Sequence, residues 1–359
     1  MKKLICLLLA LLALTVCARA AELPRDLTDA LPEGAGELLD GVDPSDAQGF
    51  DRGVGMMLKR VSEQAGEILR QRVRGAASVL LVVVLCGAAD GFYQGAGSGK
   101  VTVFLPMAGA LSVTLLTAGS LDSLIGLGAE TIGELNVFSK ALLPTLAAAT
   151  AASGAVTTAT FQQVATVFLA DLLMELIDGL LMPLVYLYIG TLTAACCLPE
   201  NRLAPIADGL KKLITWILTT ALLLFTVYLS VARVISGAAD GAAVKMAKAA
   251  ISGVVPVVGG IIAEASETVL AGAGLLKNTI GVFGMLAILA ACAYPFLQLG
   301  IQYLLYKLTA FLAGAVGAPR LCKLIDGLGG AFGLVLGMTG SCALLLLVSV
   351  LSSVAAVTP

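Results

Sequence analysis

Residues 279–306 read TIGVFGMLAILAACAYPFLQLGIQYLLY, an apolar run that contains no charged side chain. A membrane-spanning helix needs about 20 predominantly apolar residues, so this run can cross a bilayer but is too long for one straight span. Because Pro295 removes a backbone donor within it, we expect a kink or a tight hairpin there. Over the whole chain 58% of residues are hydrophobic and 13% charged, against about 25% charged in soluble domains. The sequence therefore predicts an all-α, polytopic helical membrane bundle.

The segment before this run, residues 228–278, combines glycine, proline and charge. Such interruptions at membrane depth are tolerated where they are buried in protein, line a wet cavity or lie at the surface. We therefore expect the PVVGG sequence of residues 256–260 to break a helix and to pack inside the bundle or at its mouth. The candidate structural or pore-lining residues of this segment are Asp240, Pro256, Gly259, Gly260, Glu264, Glu267, Lys277 and Asn278.

Glu264 and Glu267 lie one helical turn apart after the two glycines. We expect them to form ion pairs with lysines of the same segment and so to dock it against the bundle. Substrate coordination by the same two carboxylates is the alternative. The available lysines are Lys245, Lys248 and Lys277.

Eight apolar stretches are candidate spans, and six to eight crossings are expected. The third and fifth are short or interrupted and could instead be re-entrant. The stretches are residues 76–93, 101–121, 141–160, 161–182, 184–198, 213–235, 279–306 and 331–354.

The N-terminus has the pattern of a cleavable signal peptide over residues 1–20, with Lys2 and Lys3 before an apolar run that ends at Val16. Cleavage after Ala20 would place the mature N-terminus outside the cytoplasm. Two alternatives stay open: an uncleaved first anchor, and a lipoprotein modified at Cys17, which the bulk of Val16 disfavours.

Residues 21–75 are expected to be extracytoplasmic and to precede a polytopic domain over residues 76–359. Residues 21–50 are acidic and contain several prolines and glycines, which predicts a flexible arm. Residues 51–74 are basic, and Leu58, Val61 and Leu69 lie among apolar residues at helical spacing. This pattern predicts an amphipathic helix on a membrane or on a partner. A solvated helix that leads into the first span is the alternative.

Two pairs of landmarks suggest an internal duplication. Pro144 and Pro183 are 39 positions apart, and so are Pro256 and Pro295. Downstream, the pattern R-L-x4-D-G-L occurs at residues 202–210 and again at 320–328. We therefore predict repeats over residues 141–235 and 253–354. Lysines and arginines flank both copies of the pattern, which places both in the cytoplasm and predicts that the repeats run parallel.

Asp171, Glu175 and Asp178 follow the i, i+4, i+7 spacing of one helix face. Three carboxylates within a bilayer would line a pore or a cation path. The alternative is that this segment is interfacial and its carboxylates face water. Separately, Gly329, Gly333 and Gly337 form a face that would allow another helix to approach closely.

The chain has no histidine, which excludes mechanisms and metal sites that require one. The glycine-rich turn that ends at Lys100 is one residue short of a phosphate-binding loop, and Val101 replaces the required Ser or Thr. A net charge of −2 indicates no nucleic-acid surface. We therefore expect no enzymatic activity, no catalytic residue, and no cofactor or metal.

Several segments together resemble the stage III sporulation protein AE family of endospore-forming bacteria. The resemblance covers most of the chain after the signal peptide, although residues 21–75 contain no recognisable motif, and it is most specific around PVVGG. It is carried by ALLP (141–144) through Ser153 and Gly154, SGAADG (236–241), PVVGG (256–260), Ser266-Glu267, LKN (276–278) and YKL (306–308).

The resemblance implies a role in sporulation, in the mother-cell membrane around the forespore. It also implies a channel or secretion-like complex that joins the two cells. The partners implied are the other membrane proteins of the stage III A operon, including a secretion-type ATPase and ring-forming subunits. The expected function is a scaffold or permease-like core of that complex, in contact with membrane lipid. An autonomous secondary transporter of a small solute is the alternative, which the weak evidence for a paired intramembrane charge site disfavours.

Overall fold

The computed structural model describes the backbone of residues 24–39 (apart from 33), 49–95, 101–154, 167–198, 203–254 and 259–355. Side chains are described for 24–39 (apart from 26 and 33), 50–92, 104–154, 167–198, 203–231 (apart from 229) and 272–355. The predicted signal peptide and residues 255–258, which include Pro256, lie outside these ranges.

Every regular element in the described ranges is helical, so the prediction of an all-α fold is confirmed. In chain order the helices are α1 (Arg25–Asp29), α2 (Ala35–Leu39), α3 (Gly49–Gly95), α4 (Val101–Ala152), α5 (Val167–Cys197), α6 (Ala204–Val254), α7 (Gly259–Ala315) and α8 (Pro319–Val354).

The hairpin of α7 and α8 forms the centre of the bundle. In the most apolar 18-residue window of each of these helices 61% of the residues are buried, against 17% in α3 and in α6. A Cβ added at Gly329 would lie 3.0 Å from the Cβ of Tyr306, and one at Gly333 would lie 3.1 Å from the ring of Tyr303. The predicted close approach is therefore confirmed at these two glycines. At Gly337 the added Cβ would be 3.9 Å from Leu218 of α6, an ordinary contact.

Helices α3 and α4 pack on the side of α7. The Arg72 guanidinium of α3 donates a hydrogen bond to Gln298 Oε1 of α7 over 2.8 Å. Helix α3 is continuous from Gly49 to Gly95, so the amphipathic segment leads directly into the first apolar stretch. This agrees with the alternative prediction of a helix that leads into the first span. Its inner face is not solvated, however, because Met57 packs in one cluster with Leu286 of α7.

Part of the N-terminal arm is ordered against the bundle, so the prediction of a wholly flexible arm is wrong for residues 24–32 and 34–39. Leu27 is fully buried in the main core, and Ala35 is fully buried beside α7. The physical reason is that this stretch, although acidic, carries enough apolar side chains to pack against Leu286 and Ala290 of α7.

Among the described residues six helices are long and apolar enough to cross a membrane, as expected of a multi-pass membrane protein: Phe50–Phe92, Phe104–Ala152, Val167–Cys197, Ala204–Tyr228, Gly272–Ala315 and Pro319–Val354. The helices are much longer than a bilayer. With 52 residues, α4 extends about 78 Å at 1.5 Å per residue, whereas the hydrocarbon core is about 30 Å thick. The bundle must therefore continue outside the membrane.

Three predicted interruptions are absent. Residues 101–121 and 141–152 belong to α4, and the stretch around Pro183 is continuous in α5. Likewise α7 continues through Pro295, so the alternative of a hairpin there is wrong. A proline inside a helix removes one hydrogen bond but can be accommodated when neighbouring helices pack around it. The internal duplication stays a prediction.

Candidate functional site

The three carboxylates predicted on one helix face line a single cavity. Asp171, Glu175 and Asp178 project from α5 into a space of about 410 Å³ between α4 and α5. Glu175 and Asp178 are exposed, and the side chain of Asp171 is about half exposed. The cavity is thus open to its surroundings, and its α5 wall carries three potential negative charges.

The α5 wall contains a π-helical turn over Ile177–Leu181. The Met182 amide donates to the Ile177 carbonyl, five residues earlier, instead of four. Pro183, which has no amide hydrogen, follows at once, and Gly179 within the turn has low helical propensity. Because a π turn inserts one residue, it changes the direction of the side chains that follow it. Such turns occur frequently at functional sites.

The α4 wall supplies a counter-charge that the sequence analysis missed. The Lys140 ammonium lies 3.2 Å from Asp171 Oδ1, and both side chains are about half exposed. One turn earlier on α4, the side-chain carbonyl oxygen of Asn136 is buried and has no hydrogen-bond partner. The signal in the sequence was the spacing of Asn136 and Lys140, which puts two polar groups on one face of an apolar helix.

The described side chains that line the cavity include three acids and one lysine, so the cavity favours a cation or a cationic segment. An exposed ion pair contributes only about 0–1 kcal/mol to stability, so Lys140 and Asp171 do not account for the cohesion of the two helices. Within the described residues no group of three metal-ligating side chains comes together in a way that could hold an ion. The arrangement suits transient polar contacts better than a permanent metal centre.

The other predicted site residues are distributed along α6 and α7. Lys277 is fully buried in α7, and Asn278 beside it is exposed. Gly259 and Gly260 form the first turn of α7, and α6 ends at Val254. The side chains of Asp240, Glu264 and Glu267 lie outside the described residues, as does Pro256. Helix ends thus border the PVVGG segment, and its packing stays a prediction.

Comparison with known proteins gives a consistent result. The model of the family described as "Stage III sporulation protein AE (spore_III_AE)" matches residues 48–357. Stage III sporulation protein AE of Bacillus subtilis (strain 168) is 26% identical over 212 residues, which are 59% of this chain and 53% of that relative. The match therefore spans about half the length of the relative. No solved structure matches the chain. Because the family model covers most of its length, the chain belongs to the stage III sporulation protein AE family.

Proposed function

We propose that this chain is a non-enzymatic membrane scaffold, or permease-like core, of a multiprotein complex that links mother cell and forespore during sporulation. Membership of the stage III sporulation protein AE family supports a role in sporulation. In this proposal the protein lies in the mother-cell membrane around the forespore. Its partners are the other stage III A-operon membrane proteins, including a secretion-type ATPase and ring-forming subunits.

The observation that carries the proposal is an exposed apolar stripe on the basic half of α3. Leu58, Leu69 and Val73 are 64%, 44% and 42% exposed. Their spacings of 11 and four residues keep them on one helix face. Met57 and Ile68, about 100° further round, are buried in the same chain. The helix therefore has one apolar face that packs internally and a second that does not.

Position on the helix indicates what the second face meets. Residues 51–74 carry many charges and precede the apolar stretch of α3. With 47 residues, α3 extends about 70 Å, more than twice the hydrocarbon thickness. Lipid tails that cover Leu81 and Leu85 in the apolar half cannot also cover Leu58 at its far end. An exposed apolar stripe on a charged helical segment is typical of a protein or membrane-surface contact.

The test compares serine substitutions in the exposed apolar stripe with serine substitutions at exposed polar positions of the same helix. Leu58→Ser with Leu69→Ser should reduce co-purification with the other channel proteins at least tenfold, since each buried leucine contributes about 1.5–3 kcal/mol. Membrane insertion should be unchanged. Glu63→Ser with Glu67→Ser on exposed polar positions of the same helix is the matched control. Unchanged co-purification in the leucine variant would contradict the proposal.

The cavity between α4 and α5 favours a second candidate, an autonomous secondary transporter. Its ion pair and the buried, unpartnered Asn136 oxygen could receive a small polar solute. Solute flux through vesicles that contain only the purified protein would establish this candidate in place of the scaffold.

A further inference from the structure

A second cavity brings together the two copies of the R-L-x4-D-G-L pattern. It has a volume of about 620 Å³ and lies where the end of α5 meets the first turns of α6 and α8. The first copy contributes Asp208, and the second contributes Arg320 and Asp326. These segments are more than 100 residues apart in the chain, so the fold alone creates the site.

The walls of this cavity are held at defined positions. The Tyr188 hydroxyl of α5 donates a hydrogen bond to the Gly327 carbonyl of α8 over 3.0 Å. The Cys196 thiol donates to the Arg320 carbonyl over 3.3 Å. A Cβ at residue 327 would come within 2.3 Å of the Leu192 side chain, so the glycine of the pattern permits the close contact of α5 and α8. The walls of the cavity are therefore formed by tightly packed helices.

Positive charge predominates in the lining. The described part of the lining carries three cations, Lys211, Arg320 and Lys323, and two carboxylates. The Asp326 carboxylate is already bonded to Lys307, whose ammonium lies 2.5 Å away. Among the lining residues that the structure describes, Asp208 is thus the carboxylate that opposes Lys211 and Lys323. The Lys211 ammonium would lie 3.0 Å from a Cβ at residue 330, so the absence of a side chain at Gly330 lets it reach over α8 into the site.

Two helix N-termini add to the positive electrostatic potential in the cavity. Ala204 begins α6 and Pro319 begins α8, and both line the cavity. The residue before α8 is Ala318, whose side chain cannot accept a hydrogen bond from the first amides of the helix. The N-terminus of a helix carries a partial positive charge and presents amide donors to anions. Helix ends and cations together make the cavity suited to a phosphate group.

The location distinguishes a lipid from a soluble anion. The cavity lies at the common end of three candidate spans, which end at Cys197 and begin at Ala204 and Pro319. The ends of membrane-spanning helices meet the headgroup layer, and basic pockets between membrane helices bind anionic headgroups. Leu192 and Leu198 line the same space, and Leu198 is 44% exposed. We propose that this cavity binds the phosphate of an anionic phospholipid; this inference does not depend on the scaffold function.

The experiment titrates the purified full-length protein with short-chain phosphatidylglycerol and counts bound lipid by native mass spectrometry. Lys211→Gln and Lys323→Gln should each weaken binding about tenfold, as expected for loss of a charge-assisted hydrogen bond. Lys212→Gln removes the same charge one position away, from an exposed side chain that points elsewhere, and should change nothing. Asp208→Asn should tighten binding, because it removes the opposing carboxylate.

Two further arms identify the source of the phosphate. Phosphatidylcholine of the same chain length should bind less tightly than phosphatidylglycerol, and inorganic phosphate should not compete at equal concentration. Competition by inorganic phosphate at equal concentration would overturn the lipid assignment. Equal affinities for the wild type and the Lys211, Lys323 and Lys212 variants would overturn the site itself. If the glutamine variants do not fold, Lys323→Arg should retain binding and Asp208→Asn should still strengthen it, and failure of both would reject the proposal.

Discussion

The Tyr306 hydroxyl of α7 donates a hydrogen bond to Thr117 Oγ1 of α4 over 3.1 Å, and both side chains are buried. The ring of the same tyrosine meets Phe332 of α8 edge to face, with centroids 5.3 Å apart. One side chain thus joins three helices at the level where Gly329 allows α8 to approach α7.

Tyr306→Phe should keep the ring contact and remove the hydrogen bond. The expected loss of stability is about 1 kcal/mol, the usual net contribution of one such bond. It would appear as a lower thermal midpoint of the detergent-solubilised protein. Tyr294→Phe, at a residue that is 44% exposed, is the control and should leave the midpoint unchanged. Equal midpoints for both variants would show that the hydrogen bond does not stabilise the bundle.

Gly327→Ala should destabilise the contact between α5 and α8, because the new methyl group would overlap Leu192. Overpacking of this kind costs about 1–3 kcal/mol. The same substitution at Gly209, the equivalent position of the first R-L-x4-D-G-L copy, meets nothing within 4 Å. There alanine should be neutral or should stabilise α6 by up to about 1 kcal/mol.

Leu192→Ala should then restore part of the stability lost in Gly327→Ala. A double-mutant cycle on thermal midpoints measures this coupling. Additive effects of the two substitutions would mean that α5 and α8 do not pack at this contact.

Asn136→Leu should separate stability from function in the cavity between α4 and α5. It replaces a buried, unpartnered side-chain oxygen with an apolar group of similar size, so the thermal midpoint should be unchanged or higher. If the cavity serves the sporulation complex, the yield of heat-resistant spores should fall. A normal spore yield together with a raised thermal midpoint would show that sporulation does not require Asn136.

Continuity of α7 predicts a long distance between its two ends. Asn278 and Leu308 are exposed positions on this helix, 30 residues apart, which corresponds to about 45 Å along the axis. Spin labels introduced at these positions as unnatural amino acids should report a distance close to this value. A distance below about 20 Å would instead indicate a hairpin at Pro295, because antiparallel helix axes lie about 10 Å apart.

Local patterns in the sequence were enough for several features. Apolar runs predicted membrane-spanning helices because length and hydrophobicity are properties of a single segment. The i, i+4, i+7 spacing correctly put Asp171, Glu175 and Asp178 on one side of α5, because helical periodicity is also a property of a single segment. The glycines at 329 and 333 were also recognisable, since small side chains at helical spacing allow close packing.

Whether a helix continues through a proline depends on tertiary packing. The sequence analysis separated two candidate spans at Pro183 and predicted a kink or hairpin at Pro295, yet the helices continue through both prolines. The lost hydrogen bond is a local cost, whereas packing against several neighbouring helices holds the segment straight enough to continue. The π turn before Pro183 shows one local adjustment that makes this continuity feasible.

By itself the sequence determined that the chain is helical, apolar enough for a membrane and a member of its family, because these depend on composition and on motifs within single segments. Only the tertiary structure decided which charges meet. Lys140 faces Asp171, and Asp208 and Asp326, 118 positions apart, line one cavity. Tertiary packing also decided that α7 and α8 are central while α3 and α6 are peripheral. Pairings of this kind depend on how helices of similar hydrophobicity pack against one another, and hydrophobicity alone does not distinguish among them.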